Sequence, residues 1–145
     1  MKAVRFEGRI WREGKWWLAE VRALDAMTQG RSRKEALHMV ADWIETAVNR
    51  RGFKAQVLET DGEAIAVRST DVGAMVALML RRQREARGLS LAEVARRLGQ
   101  RSPNAYARYE QGAAMPTLDK LAELLAAVGG RDLVLSDSAV DEAAE

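Results

Sequence analysis

Between positions 3 and 11 the side chains alternate, with Val4, Phe6, Gly8 and Ile10 on one side and Arg5, Glu7, Arg9 and Trp11 on the other. A period of two belongs to a half-buried strand. Arg12-Glu13-Gly14 reads as a turn, 15–21 as a returning strand, and 26–29, just before Gly30, as a short third strand. The period then changes. Ala36, Leu37, Val40, Trp43, Ile44, Ala47 and Val48 share one helical face, and Ser32 followed by Glu35 is the capping-box signal that opens it. Gly52 is the expected stop. Strand-like runs at 54–59 and 64–68 flank Asp61-Gly62, a strong hairpin pair. The prediction is βββαββ, one helix on one sheet, an α+β unit.

Beyond position 70 the pattern is helical throughout. A helix over 75–87 places Val76, Met79 and Leu80 on one side, with Arg81, Arg82, Arg84 and Arg87 around it. Ser90 and Glu93 form a second capping box, opening a helix at Leu91 with Val94, Ala95 and Leu98 as its apolar positions and Gly99 as its end. Ser102 caps the next helix, and Pro103 takes its first position, where a missing N–H costs nothing. Tyr106 and Tyr109 then point inward, Asn104, Ala105, Ala107 and Arg108 stay outside, and Gly112 closes the helix. After Pro116, Thr117 begins a helix whose buried stripe is Leu118, Leu121, Leu124, Leu125 and Val128, ended by Gly129-Gly130. Two short helices joined by a tight turn, the second with small and polar residues outward, are what a helix-turn-helix presents to the DNA major groove. From spacing alone, a plain helical bundle is the alternative.

Charge sharpens the choice. From Met75 to Lys120 there are nine Lys or Arg against four acids, a local balance of +5, although the whole chain is only +2. Such a segment suits duplex phosphates, from which it would release counterions. After Arg131 the sign reverses, with Asp132, Asp137, Asp141, Glu142 and Glu145.

The motifs G-L-S-x-x-E-V-A at 88–95, L-G at 98–99, Y-E-x-G at 109–112 and P-T-L at 116–118 resemble the Xre/Cro/C1 family of helix-turn-helix repressors. The resemblance implies a recognition helix over 103–110, with Asn104 reading base edges, an amide being able to bond adenine bidentately. It also implies groove or phosphate contacts by Arg108, with Arg101, Ser102 and Ala105 beside it, and a structural pair between Arg84 and Glu110. The chain departs from the family twice: Leu91 stands where glutamine is common, and one extra residue enters the turn at Gln100-Arg101.

In the first half, Thr28-Gln29-Gly30 leading into Ser32-x-x-Glu35-Ala36-Leu37 resembles the HicB antitoxin family, over about 1–68. That resemblance implies a partial RNase-H-like fold lacking the acid cluster. Such a domain binds and neutralises a small mRNA-cleaving toxin, HicA, oligomerises, and helps repress its own operon. Trp11 and Trp17 are expected on the face away from Phe6 and Ile10, where an aromatic beside arginines has the character of an interface hot spot, the alternative being that helix and sheet cover them. Glu20 and Asp25, with Glu13, are the acids a basic toxin would meet, although residues 1–70 sum to +3 (13 cations, 10 acids). Trp43, on the apolar helix face, is expected in the core.

No catalytic constellation accompanies these motifs. The chain has no cysteine, and His38 is its only histidine. Thiol chemistry and a histidine-paired metal site are therefore excluded, and His38, inside the amphipathic helix, is expected to pack at the surface or half-buried rather than to serve a Ser-His-Asp group. Neither a phosphate-cradling glycine loop nor a cluster of acids around Asp25 is present. The reading is of a cytoplasmic, non-enzymatic chain without cofactor, lacking a membrane span or a signal-peptide core. Its expected organisation is 1–70 as an α+β toxin-binding domain, 71–130 as an all-α helix-turn-helix domain of four or five helices, and 131–145 as a tail. The tail carries a possible dimer-pairing strand at 132–136 and a disordered acidic stretch at 137–145. Expected partners are a HicA-like toxin, double-stranded operator DNA and a second copy of the chain. Two rivals stay open: an Xre-type regulator whose first half dimerises or binds a small molecule, and an RNA-binding protein or nuclease.

Overall fold

The computed structural model describes residues 2–60 and 62–137. In chain order these form β1 (Phe6–Glu13), β2 (Trp16–Val21), a 3₁₀ turn (Arg22–Leu24), β3 (Ala26–Gly30), α1 (Arg33–Val48), β4 (Gln56–Glu59) and β5 (Ala64–Arg68). Then follow α2 (Val72–Ala86), α3 (Leu91–Arg97), α4 (Asn104–Glu110) and α5 (Leu118–Gly129). The fold is α+β: a five-stranded antiparallel sheet in the order β3-β2-β1-β5-β4, followed by helices.

Several boundaries move for local reasons. β1 runs through Arg12 and Glu13, where a turn was expected, because the hairpin closes at Gly14-Lys15, with Glu13 opposite Trp16 and Gly14 at φ +62°. A two-residue loop needs positive φ, which glycine supplies. α1 stops at Asn49 rather than Gly52: Asn49 takes the left-handed conformation at φ +48° and donates its N–H to Glu45 O at 3.0 Å. α2 starts a turn earlier than its hydrophobic spacing indicates, because Asp71 Oδ1 accepts the Ala74 N–H at 3.0 Å. Asp61 lies outside the described residues. At 132–136, where a strand pairing across a dimer was expected, the single chain has no regular secondary structure, and Val134 and Leu135 are exposed. Residues 138–145 of the expected acidic tail lie outside the described residues.

α1 covers one face of the sheet, where Phe6, Ile10, Ala19, Val21, Ile65 and Val67 meet Ala36, Val40 and Ile44. The Thr28-Gln29-Gly30 run fixes how closely the helix approaches. Buried Thr28 donates its hydroxyl to Ala36 O at 3.3 Å, and a Cβ on Gly30 would lie 2.6 Å from Ala36 N. Ser32 Oγ caps α1 by accepting from Glu35 N–H at 3.1 Å.

The opposite face, bearing Arg9, Trp11, Trp16, Leu18, Glu20 and Met27, follows from the same register and has no helix over it among the described residues. From the covered face the buried cluster continues without a break through Met75 and Leu78 of α2 to Val94, Tyr106, Leu124 and Val128. α2 is also pinned by polar contacts. Arg82 Nε donates to Leu24 O at 3.2 Å and its Nη2 to Asp25 O at 2.8 Å, with the guanidinium 5.0 Å from the centre of the Trp43 ring. Gln83 Nε2 donates to Ala23 O at 3.2 Å, and Arg81 Nη2 to Ala47 O at 2.9 Å.

Candidate nucleic-acid interface

α3 begins at Ser90 with both halves of the capping box made: Ser90 Oγ accepts from Glu93 N–H at 3.0 Å, and Glu93 Oε1 accepts from Ser90 N–H at 3.3 Å. The Ser90 backbone N–H first, and then the Ser90 side chain, hold the Glu93 carboxyl below its ordinary range. The helix ends at Leu98, and Gly99 turns the chain at φ +74°, with Gln100 N–H reaching back to Ala95 O at 2.8 Å. Pro103 has helical dihedrals, and Ser102 Oγ accepts the Asn104 N–H at 3.2 Å. Ser102 therefore caps α4, as its position before Pro103 suggests.

Tyr106 anchors α4, its side chain fully buried. Burial first, and then the neighbouring Glu110 carboxylate, pushes its phenol well above the ordinary range, so it stays neutral. Arg84 of α2 grips Glu110 of α4 bidentately, Nε to Oε2 at 2.7 Å and Nη2 to Oε1 at 2.9 Å, and donates Nη1 to Leu89 O at 2.9 Å. The hydrogen bond to Glu110 is the main cause that raises the Arg84 pKa further, against its partial burial. A fork-to-carboxylate pair of this kind fixes orientation as well as distance. α4 is thus held on its inner side by Tyr106 and Glu110, leaving Asn104, Ala105 and Arg108 exposed, with Arg101 and Ser102 exposed at its entry. Tyr109 is only half-buried, and Leu118, expected in the α5 stripe, is 56% exposed because it occupies the first residue of that helix.

The arginines divide differently from what the charge count suggests. Arg81, Arg82 and Arg84 are engaged with carbonyls or carboxylates as above, Arg87 donates to Gly129 O, and Arg97 donates to Ala127 O at 3.0 Å. Lys120 pairs with Glu123 at 3.4 Å. Of the nine cations from Met75 to Lys120, Arg96, Arg101 and Arg108 are exposed and have no such partner among the described residues.

The four side chains expected to meet a protein partner are not brought together on one surface. Trp11 and Glu20 lie on the uncovered sheet face, Trp11 under the Arg9 guanidinium at 4.5 Å and Glu20 bonded to Arg22 at 3.1 Å. Trp17 is instead on the covered face, since the antiparallel register sets it opposite Arg12, and it packs against the core near Arg33. Asp25, left-handed at φ +48°, is exposed but bound to Arg82 at 3.3 Å. Trp43 is half-buried rather than fully in the core. Trp16, which the sequence reading passed over, joins Trp11 on the uncovered face. Its signal was available, because the tandem Trp16-Trp17 must send one ring to each side of a strand.

Among the described residues no helix is long and apolar enough to cross a membrane. No curated protein matches the chain. Residues 76–137 match the family model of a helix-turn-helix domain. The match runs from α2 through α5, over the helices whose packing turns α4 outward, and supports a DNA-binding helix-turn-helix in the C-terminal part of the chain.

Proposed function

We propose that the chain is an antitoxin and operon repressor of the HicA/HicB kind. Its C-terminal helices bind operator DNA as a dimer, with α4 in the major groove. Its N-terminal α+β part, a partial RNase-H-like scaffold in the sense of the HicB resemblance, binds and neutralises a small mRNA-cleaving toxin. The observation that carries the DNA-binding half is α4 itself, anchored by Tyr106 and the Arg84–Glu110 pair with Asn104, Ala105 and Arg108 outward. Paired recognition helices then read half-sites a helical turn apart. Support for the protein partner is the uncovered sheet face, where Trp11, Trp16, Leu18 and Met27 stand among Arg9 and Glu20. In this reading the chain is cytoplasmic, uses no cofactor and catalyses no reaction.

The test is co-purification with the product of an adjacent small gene, followed by RNA cleavage by that product with and without the chain. A stable complex with suppressed cleavage supports the antitoxin role. DNA binding without any such partner favours the second reading, a helix-turn-helix regulator whose N-terminal part dimerises or senses a ligand. The continuous core between the sheet and α2 favours that second reading, because it gives events on the sheet a route to α4.

A further inference from the structure

With most cations of α2–α5 engaged inside the protein, Arg96, Arg101 and Arg108 are a small set for a duplex-binding surface. The connection leaving α4, from Gln111 to Thr117, carries no charged side chain. A helix seated in the major groove is flanked by both phosphate backbones. Beyond Arg108, in the last turn of α4, phosphates would therefore meet no further cation of the helix-turn-helix before Lys120, which is paired with Glu123.

The N-terminal part supplies cations at that place. Arg50 Nη2 donates to Gln111 O at 3.3 Å, its Nη1 pairs with Asp71 at 3.2 Å, and a Cβ on Gly112 would fall 2.8 Å from its Nη2. The turn that follows, Arg50-Arg51-Gly52-Phe53-Lys54, contains three cations and no acid. It is a fixed turn: Phe53 is buried, its N–H donates to Arg50 O at 3.1 Å, and Gly52 takes φ +81°. Arg51 and Lys54 stand exposed, with no ion pair among the described residues. Three carboxylates of the adjoining elements are already engaged, Asp71 with Arg50, Glu45 with the Ala55 N–H at 2.9 Å, and Glu110 with Arg84.

We infer that this basic turn is a second part of the DNA interface, resting on the DNA-binding reading above. Arg50 positions the turn against the end of α4, and Arg51 and Lys54 contact the phosphate backbone there. The contact is independent of sequence, so a short mixed-sequence duplex is the appropriate probe.

Binding of the full chain to that duplex is followed by fluorescence anisotropy as salt is raised. Each phosphate contact contributes about 0.9 to the slope of log affinity against log salt. The doubly substituted Arg51→Gln, Lys54→Gln chain should therefore lose about 1.8 from the slope. Its melting temperature should not change, since both side chains are exposed, and the swapped Arg51→Lys, Lys54→Arg chain should keep the full slope. An unchanged slope in the glutamine variant, with Arg108→Gln still weakening binding, overturns the inference and leaves the helix-turn-helix reading standing. No duplex binding by the unaltered chain overturns both.

Discussion

Gly30 shows how one residue sets the distance between two layers. Any side chain there drives a Cβ to 2.6 Å from the backbone nitrogen of Ala36, and backbone cannot step aside as a flexible side chain can. Gly30→Ala should cost about 1–3 kcal/mol, the usual penalty of overpacking, read from the midpoint of urea unfolding. Glu110 is the counterpart in the helical part. Removing it leaves the Arg84 guanidinium partly buried and without its carboxylate, and Glu110→Ala should destabilise by roughly 3–5 kcal/mol in the same assay. Glu93 gives a pH signature. Its folded pKa lies below its unfolded one, so the capping box contributes stability above the unfolded value and loses it as pH falls through the folded one. Amide protection at the start of α3, relative to the intrinsic exchange rate at each pH, should accordingly fall on acidification through the carboxylate range, and Glu93→Gln should remove that dependence. The caps and glycine turns were readable because they are written in short range, whereas the Arg84–Glu110 pair, separated by 26 residues, was expected only through the resemblance to helix-turn-helix repressors. The partners of Arg81, Arg82, Arg87 and Arg97 were not readable, since their acceptors are mostly main-chain carbonyls, which every residue has and no sequence pattern marks.

At the scale of elements, α2 carries most of the organisation. The order of strands and helices followed from hydrophobic period, but the face assignment of Trp17 depended on where the first hairpin turns. Moving that turn from 12–14 to Gly14-Lys15 fixes the pairing that sets Trp17 opposite Arg12, on the side of Phe6 and Ile10. Nor did the pattern show that α2 belongs to both cores. It is bonded to α1 and the 3₁₀ turn through Arg81, Arg82 and Gln83, holds α4 through Arg84, and packs with α5. Arg82 is the polar rivet of this joint, bonding the carbonyls of Leu24 and Asp25 while lying over Trp43. Arg82→Ala should lower stability by about 1–3 kcal/mol, as loss of hydrogen bonds to a charged group does. The effect should appear as faster amide exchange in the 3₁₀ turn together with α2, a joint response that a purely local defect would not give.

For the molecule as a whole, the two proposed binding surfaces use different side chains, whereas the core beneath them is continuous. The exposed residues of α4 contribute nothing to that core, because Asn104 and Arg108 face outward while Tyr106 and the Arg84–Glu110 pair anchor the helix. Their removal should therefore act on DNA and nowhere else. The chain with Asn104→Ala and Arg108→Ala should lose operator binding in a gel-shift assay, keep its melting temperature, and bind and inhibit the toxin as before. Trp11→Ala should do the reverse, because its ring lies on the uncovered sheet face away from every helix. If either substitution impairs both functions while the fold stays intact, the surfaces are linked through α2. Toxin occupancy on the sheet would then set how α4 meets the operator, with the joint at Arg82 and the contact of Arg50 with Gln111 as its structural path. Measuring operator affinity with and without bound toxin separates the two cases. Equal affinities mean independent modules on a shared core, and a difference gives the coupling free energy between them, which must be the same whichever partner binds first.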